Sequence, residues 1–263
     1  MKIAGFIIFL VLLVIVAAMI RYVTRRKGTA GDGLDAASIR PLLEKHVKFY
    51  QRLSEAQQQQ FEQRVLNFLQ RVSVTGVGVT VTELDRVLVG ASAIIPIFAF
   101  PDWHYTNLRE ILLYPETFNA DFAQRGPDRD ILGMIGNGPL QQVMMLSRQA
   151  LEQGFANTTD KRNTAIHEFV HLIDKTDGDT DGIPEALLQH QYSIPWIQLI
   201  RRCIQEILQN RSDIDVYGAT NEAEFFAVVS EYFFERPELL REKHPELYAM
   251  LEKIFKNDIA GQR

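Results

Sequence analysis

Two histidines four positions apart, His167 and His171, with Glu168 directly after the first, are the residues of this chain best suited to chemistry. On a helix, positions i and i+4 share a face about one turn apart, so both imidazoles can reach one ion. Imidazole nitrogen binds zinc at about 2.0–2.1 Å. Glu168 lies beside the first histidine, where a carboxylate can face a water at the metal and take its proton. Thr164, Ala165, Ile166, Phe169, Val170, Leu172 and Ile173 surround the motif and carry no charge. An uncharged surround favours a buried helix and a dry site, in which fixed charges act strongly. The pattern points to one zinc ion per chain and to hydrolysis.

Two histidines and a water leave a tetrahedral zinc one protein ligand short. The remaining histidines are poor candidates. His46 falls in an amphipathic helix, His104 in a Pro/Trp/Tyr loop, His190 after a polar segment and His244 before Pro245. A carboxylate on a later helix is the alternative. Glu224 and Glu231 lie seven apart in Asn221 to Glu235, two helical turns, and so face the same way. Phe225, Phe226, Val228, Val229, Tyr232 and Phe233 surround them. A carboxylate buried among such neighbours needs a partner. Each also has a simpler use: Glu224 can close a capping box with Asn221, and Glu231 can face solvent. Spacing does not choose between them.

The elements that must position these residues are legible from periodicity. Phe61, Val65, Phe68, Leu69 and Val72 mark a helix after Gln57, and Val74 to Val81 reads as a strand. Thr82 and Asp85 form a capping box that opens a helix closed by Pro96. Glu110 to Tyr114 and Gln141 to Ser147 read as strands, with Gly126 to Pro139 as a loop between them. Lys161 to Asp174 is the helix of the histidines. Trp196, Leu199, Ile200, Cys203 and Ile207 form one stripe of a further helix, which makes the single cysteine a core residue. The last two helices are Asn221 to Glu235, ended by Pro237, and one beginning near Pro245. Helix-rich with a few strands, the class is α+β.

Five of the 28 basic residues, and no acid, lie in the first 30 positions; the other 23 face all 33 acids. A domain that acidic is a poor partner for nucleic acid. Ile3 to Ile20 has no charged side chain and would span about 27 Å as a helix. Arg21, Arg25, Arg26 and Lys27 follow it. By the positive-inside rule this is an uncleaved, single-pass inner-membrane anchor that leaves the rest of the chain facing the cytoplasm. Residues 1–27 are the expected anchor, 28–38 a flexible linker, and 39–263 the folded domain.

Three motifs carry a resemblance: His167 to Asp174, Ile214 to Tyr217, and Asn221 to Phe234. In that order they resemble the Mlc titration factor A family of zinc peptidases over roughly residues 40–256. The resemblance implies a zincin-like domain of the gluzincin type with Glu224 as third zinc ligand and Glu168 as base. It also implies that Tyr217 donates to the oxyanion formed during peptide hydrolysis. By analogy of fold, Gln141 to Ser147 is expected to offer an edge to an extended peptide. Asp174, three residues after His171, either orients a histidine or caps the helix end. The run Asp177, Asp179, Asp181, Gly182 begins like a calcium loop but has Leu188 where a bidentate Glu belongs. Two functions follow: a membrane-anchored zinc peptidase acting on a peptide or protein, or a non-catalytic tether for a cytoplasmic regulatory protein with structural zinc.

Overall fold

The computed structural model describes residues 33–119, 131–136, 138–157 and 159–256. It is a helix-rich α+β fold around one four-stranded sheet. Three helices come first: α1 (Ala36–His46), α2 (Lys48–Gln51) and α3 (Glu55–Arg71). Then β1 (Ser73–Gly76), α4 (Glu83–Ile94) and β2 (Glu110–Tyr114) form a strand, helix, strand unit. A short β3 (Gly133–Ile135) and β4 (Val143–Ser147) complete the sheet, and α5 (Arg148–Ala156) follows. The helical half comprises α6 (Thr164–Asp174), α7 (Ser193–Leu208), α8 (Glu222–Glu235), α9 (Pro237–Lys243) and α10 (Pro245–Phe255).

The sheet order is β1-β2-β4-β3, with β1, β2 and β4 parallel and β3 antiparallel to β4. Side chains alternate between faces, as the pleat requires. Ile111, Leu113, Met144 and Leu146 enter the main core, while Leu112, Tyr114 and Met145 join Phe118, Ile131 and Met134 on the other face. β2 coincides with the short apolar run read as a strand from the sequence.

Several boundaries differ from the sequence reading, each for a local reason. The first helix begins at Ala36, inside the stretch read as linker, because Asp35 and Ser38 form a reciprocal capping box. The predicted strand Val74 to Val81 ends at Gly76, where the carbonyl of Val79 comes within 1.9 Å of where a Cβ would stand. Pro237 does not merely stop α8; it occupies the first turn of α9, where its missing N–H costs nothing. The stretch read as a loop before Pro139 contains β3. This also corrects the expected peptide edge: β4 lies inside the sheet between β2 and β3, and β3 stands at the end of the order.

No helix among the described residues is long and apolar enough to cross a membrane. The predicted anchor, Ile3 to Ile20, lies outside the described residues.

Candidate metal centre

The histidine helix α6 is held at both ends and nearly buried throughout. Asn163 caps it by accepting from the Ile166 N–H at 3.2 Å, and Asn107 donates to the Leu172 carbonyl at 2.9 Å near its end. Ile166, Phe169, Val170, Leu172 and Ile173 are fully buried, and Phe169 meets the rings of Phe68 and Tyr105 edge-on or tilted. The packing leaves one stripe of α6 facing α8, and His167 and His171 lie on it.

Helix α8 supplies the acidic half. Asn221 caps it by accepting from the Glu224 N–H at 2.8 Å. The Glu224 carboxylate does not close a capping box. It reaches across to the histidines, with Oε2 at 3.0 Å from His167 Nε2 and 3.4 Å from His171 Nε2. The two Nε2 atoms are 3.0 Å apart. A tetrahedral ion with bonds of about 2.0–2.1 Å separates its ligand atoms by about 3.3–3.4 Å. The donor triangle of His167, His171 and Glu224 is slightly tighter than this on two of its sides and could hold one metal ion.

Tautomer chemistry points the same way. His167 Nδ1 lies 2.7 Å from Glu231 Oε1, and the second Glu231 oxygen accepts from the Asn163 N–H at 2.5 Å. With its proton on Nδ1, His167 turns the lone pair of Nε2 toward Glu224, an arrangement that suits a cation between them. Glu231 is 6% exposed, so it is not the solvent-facing charge its sequence position allowed. The carboxylate that meets a histidine of the pair at Nδ1 is Glu231, not Asp174. Asp174 instead accepts from the Gly182 N–H at 2.9 Å through Oδ2, and its Oδ1 has no partner among the described residues. Burial pushes the Asp174 carboxyl up to about 7.

The electrostatics are those of concentrated negative charge. Burial acts to lower the His167 pKa, but the carboxylates of Glu231 and Glu224 outweigh it and bring it up to about 10. Burial pushes Glu224 upward, yet its hydrogen bonds to His167 and His171 hold it well below the usual range. A divalent ion neutralises the same carboxylate charge that this proton does, so metal and proton compete for the site. Glu168 is buried at 6% exposure, and burial raises its carboxyl, opposed by the two histidines. Gly133 of β3 packs on it: a Cβ there would stand 2.8 Å from Glu168 Cγ and 2.9 Å from Oε1.

Tyr217 lies on a short 3-10 turn, Val216–Ala219, and is 52% exposed, not packed into the core as a loop aromatic would be. Its ring centroid is 6.0 Å from that of His167. Together these residues line a cleft of about 1080 Å³ bounded by β3, α6, α8 and the 213–217 loop. Cys203 is buried and burial pushes its thiol up to about 12, which fits a core residue. The Asp177 to Gly182 segment is a connector: the Gly182 carbonyl accepts from Trp196 Nε1 at 2.7 Å.

Two contributors have no signal in the sequence, and a third is visible there only in part. Glu231 was visible as a carboxylate on the ligand face, but its partner was not. Asn163 stood inside the predicted helix rather than at its cap. Gly133 lay in a segment read as loop, and a glycine among other glycines carries no signal of its own.

Two helices beside a small sheet thus bring His167, His171 and Glu224 into one group that could hold a metal ion. Residues 23–256 match the model of the glucose-regulated metallo-peptidase M90 family, and the chain belongs to that family. It is 28% identical over 234 residues to an uncharacterized protein of Synechocystis sp., covering 81% of this chain and 82% of that protein. It is 29% identical to Mlc titration factor A of Serratia proteamaculans, covering 78% and 82%, and 26% identical to that of Klebsiella pneumoniae subsp. pneumoniae, covering 80% and 83%.

Proposed function

We propose that this protein is a zinc peptidase of the gluzincin type, with His167, His171 and Glu224 as zinc ligands and Glu168 as general base. The observation that carries the reading is the 3.0, 3.0 and 3.4 Å triangle of two imidazole nitrogens and one carboxylate oxygen. Zinc bound there would polarise a peptide carbonyl and lower the pKa of a water to about 7. Glu168, desolvated and raised, takes the proton of the attacking water and hands it to the leaving amine. Tyr217 offers a neutral hydroxyl where negative charge develops on the carbonyl oxygen. Strand β3, at the end of the sheet and against Glu168, is the element on which an extended peptide would lie.

The test is metal content and turnover in one preparation. The purified protein is expected to hold one zinc per chain and to cleave members of a peptide panel in a chelator-sensitive way. Glu168→Gln is expected to keep the zinc and lose the cleavage. A zinc-free protein, or turnover unchanged by that substitution, rules the enzyme out.

The second reading is a non-catalytic tether for a regulatory protein, with zinc kept for structure. The name Mlc titration factor A, carried by the relatives, favours it. Zinc without cleavage of any peptide would support it. The inner-membrane anchor and the boundaries at residues 27 and 38 rest on the sequence alone. An alkaline phosphatase fusion at the C-terminus is expected to be inactive; an active fusion places the domain outside.

A further inference from the structure

Tyr217 presents a positioning problem. Its ring is half exposed, its neighbour Val216 is 72% exposed, and the turn that carries them has only four residues. Apart from the His167 ring and an interaction of its hydroxyl with Glu224, so exposed a ring has little to choose one rotamer. What holds the turn is Asp215. One carboxylate oxygen, Oδ1, accepts from the Tyr217 N–H at 3.0 Å, and the Asp215 carbonyl accepts from the Gly218 N–H at 3.0 Å. The other oxygen, Oδ2, accepts from Arg162 Nε at 2.9 Å and also from Arg162 Nη2. Both Arg162 donors thus converge on one oxygen, leaving the other for the backbone of Tyr217.

Arg162 is not an arbitrary counter-ion. It directly precedes Asn163, which caps α6 and whose N–H binds Glu231. Its neighbour Lys161 makes a parallel fastening, donating to the Asp213 carbonyl at 2.7 Å and to Asp213 Oδ2 at 2.6 Å. Lys161 sits at φ 65°, a left-handed conformation that lysine rarely adopts and that persists only where its surroundings hold it. Three consecutive residues therefore tie the start of the histidine helix to the Tyr217 loop and to α8. On the far side, Gly218 lies against α8, where a Cβ would meet Val228 Cγ1 at 3.3 Å.

We propose that Asp215, clamped by Arg162, is a positioning residue that holds the Tyr217 ring over the His167 imidazole. The proposal rests on Tyr217 acting as the oxyanion donor, and the experiment separates the two. Asp215→Ala is expected to lower kcat about tenfold to a hundredfold, as misplacement of a donor does, with KM and zinc content unchanged. In a Tyr217→Phe background the same substitution is expected to cost nothing more. Asp215→Asn keeps an oxygen for the Tyr217 N–H but loses the ion pair, so it and Arg162→Ala should fall between.

A second readout needs neither metal nor turnover. The chain has eight tyrosines. In 3-fluorotyrosine-labelled, metal-free protein, the resonance absent from Tyr217→Phe identifies Tyr217. Asp215→Ala is expected to move that resonance to the position of an unstructured tyrosine. An unmoved resonance overturns the proposal, and so does a kcat loss of equal size in both backgrounds. If the resonance moves while Tyr217→Phe leaves kcat intact, the positioning stands and the oxyanion role of Tyr217 falls.

Discussion

Glu231 offers the sharpest test of the metal centre, because both of its oxygens accept from buried donors. Oε1 faces His167 Nδ1 at 2.7 Å and Oε2 faces the Asn163 N–H at 2.5 Å. Glu231→Gln preserves shape but replaces one acceptor with an NH2 group. Whichever way the amide turns, a donor then faces a donor, and one buried N–H loses its partner. Leaving such a group unsatisfied costs about 1–3 kcal/mol. If the amide oxygen stays with Asn163, the cost falls on His167 and appears as weaker metal binding, by about 5-fold to 150-fold at 1.4 kcal/mol per decade. If it stays with His167, the cost falls on the α6 cap and appears in folding. For a domain of this size that is about 2–12 °C of melting temperature. Zinc affinity by competition with a chromophoric chelator, and melting of the metal-free protein, read the two cases separately. A variant that equals the wild type in both refutes the argument that Glu231 orients His167.

The other expectations concern neighbours of the site and the core. Gly133→Ala places a methyl 2.8 Å from Glu168 Cγ, so turnover should fall at least about tenfold while bound zinc is unchanged; an unaffected kcat would mean that β3 gives way instead. Asp213 is pushed up by burial but held below the usual range by Lys161, His244, Lys243 and Tyr232. A depressed carboxyl stabilises above its unfolded pKa of about 3.9 and loses that contribution as pH falls through the folded value. The melting-temperature gap between metal-free wild type and Asp213→Asn should therefore be full at pH 6 and shrink below about pH 4; a gap that grows on acidification contradicts this. Phe169→Ala should cost about 3–5 kcal/mol by chemical denaturation, because the ring is fully buried against Phe68 and Tyr105; a loss under 1 kcal/mol would mean the histidine helix is not anchored there.

What the chain determines by itself is whatever closes within a few residues. The helix of His167 and His171, the caps at Thr82 and Asn221 and the burial of Cys203 follow from spacings of three or four, and the strand Glu110–Tyr114 from a short apolar run ahead of Pro115. Hydrogen bonds and side-chain faces repeat at those intervals in any backbone of the same type, so the pattern is written locally. Tertiary structure decided the rest. That Glu224 reaches the histidines while Glu231 braces one of them depends on contacts across 57 and 64 residues of chain. The place of β3 at the end of the sheet, the closeness of Gly133 to Glu168 and the clamp of Arg162 on Asp215 have no local signature either. Each arises only when two elements pack at one particular angle and depth. That geometry is a property of the whole core, to which every buried side chain contributes and which no short segment encodes.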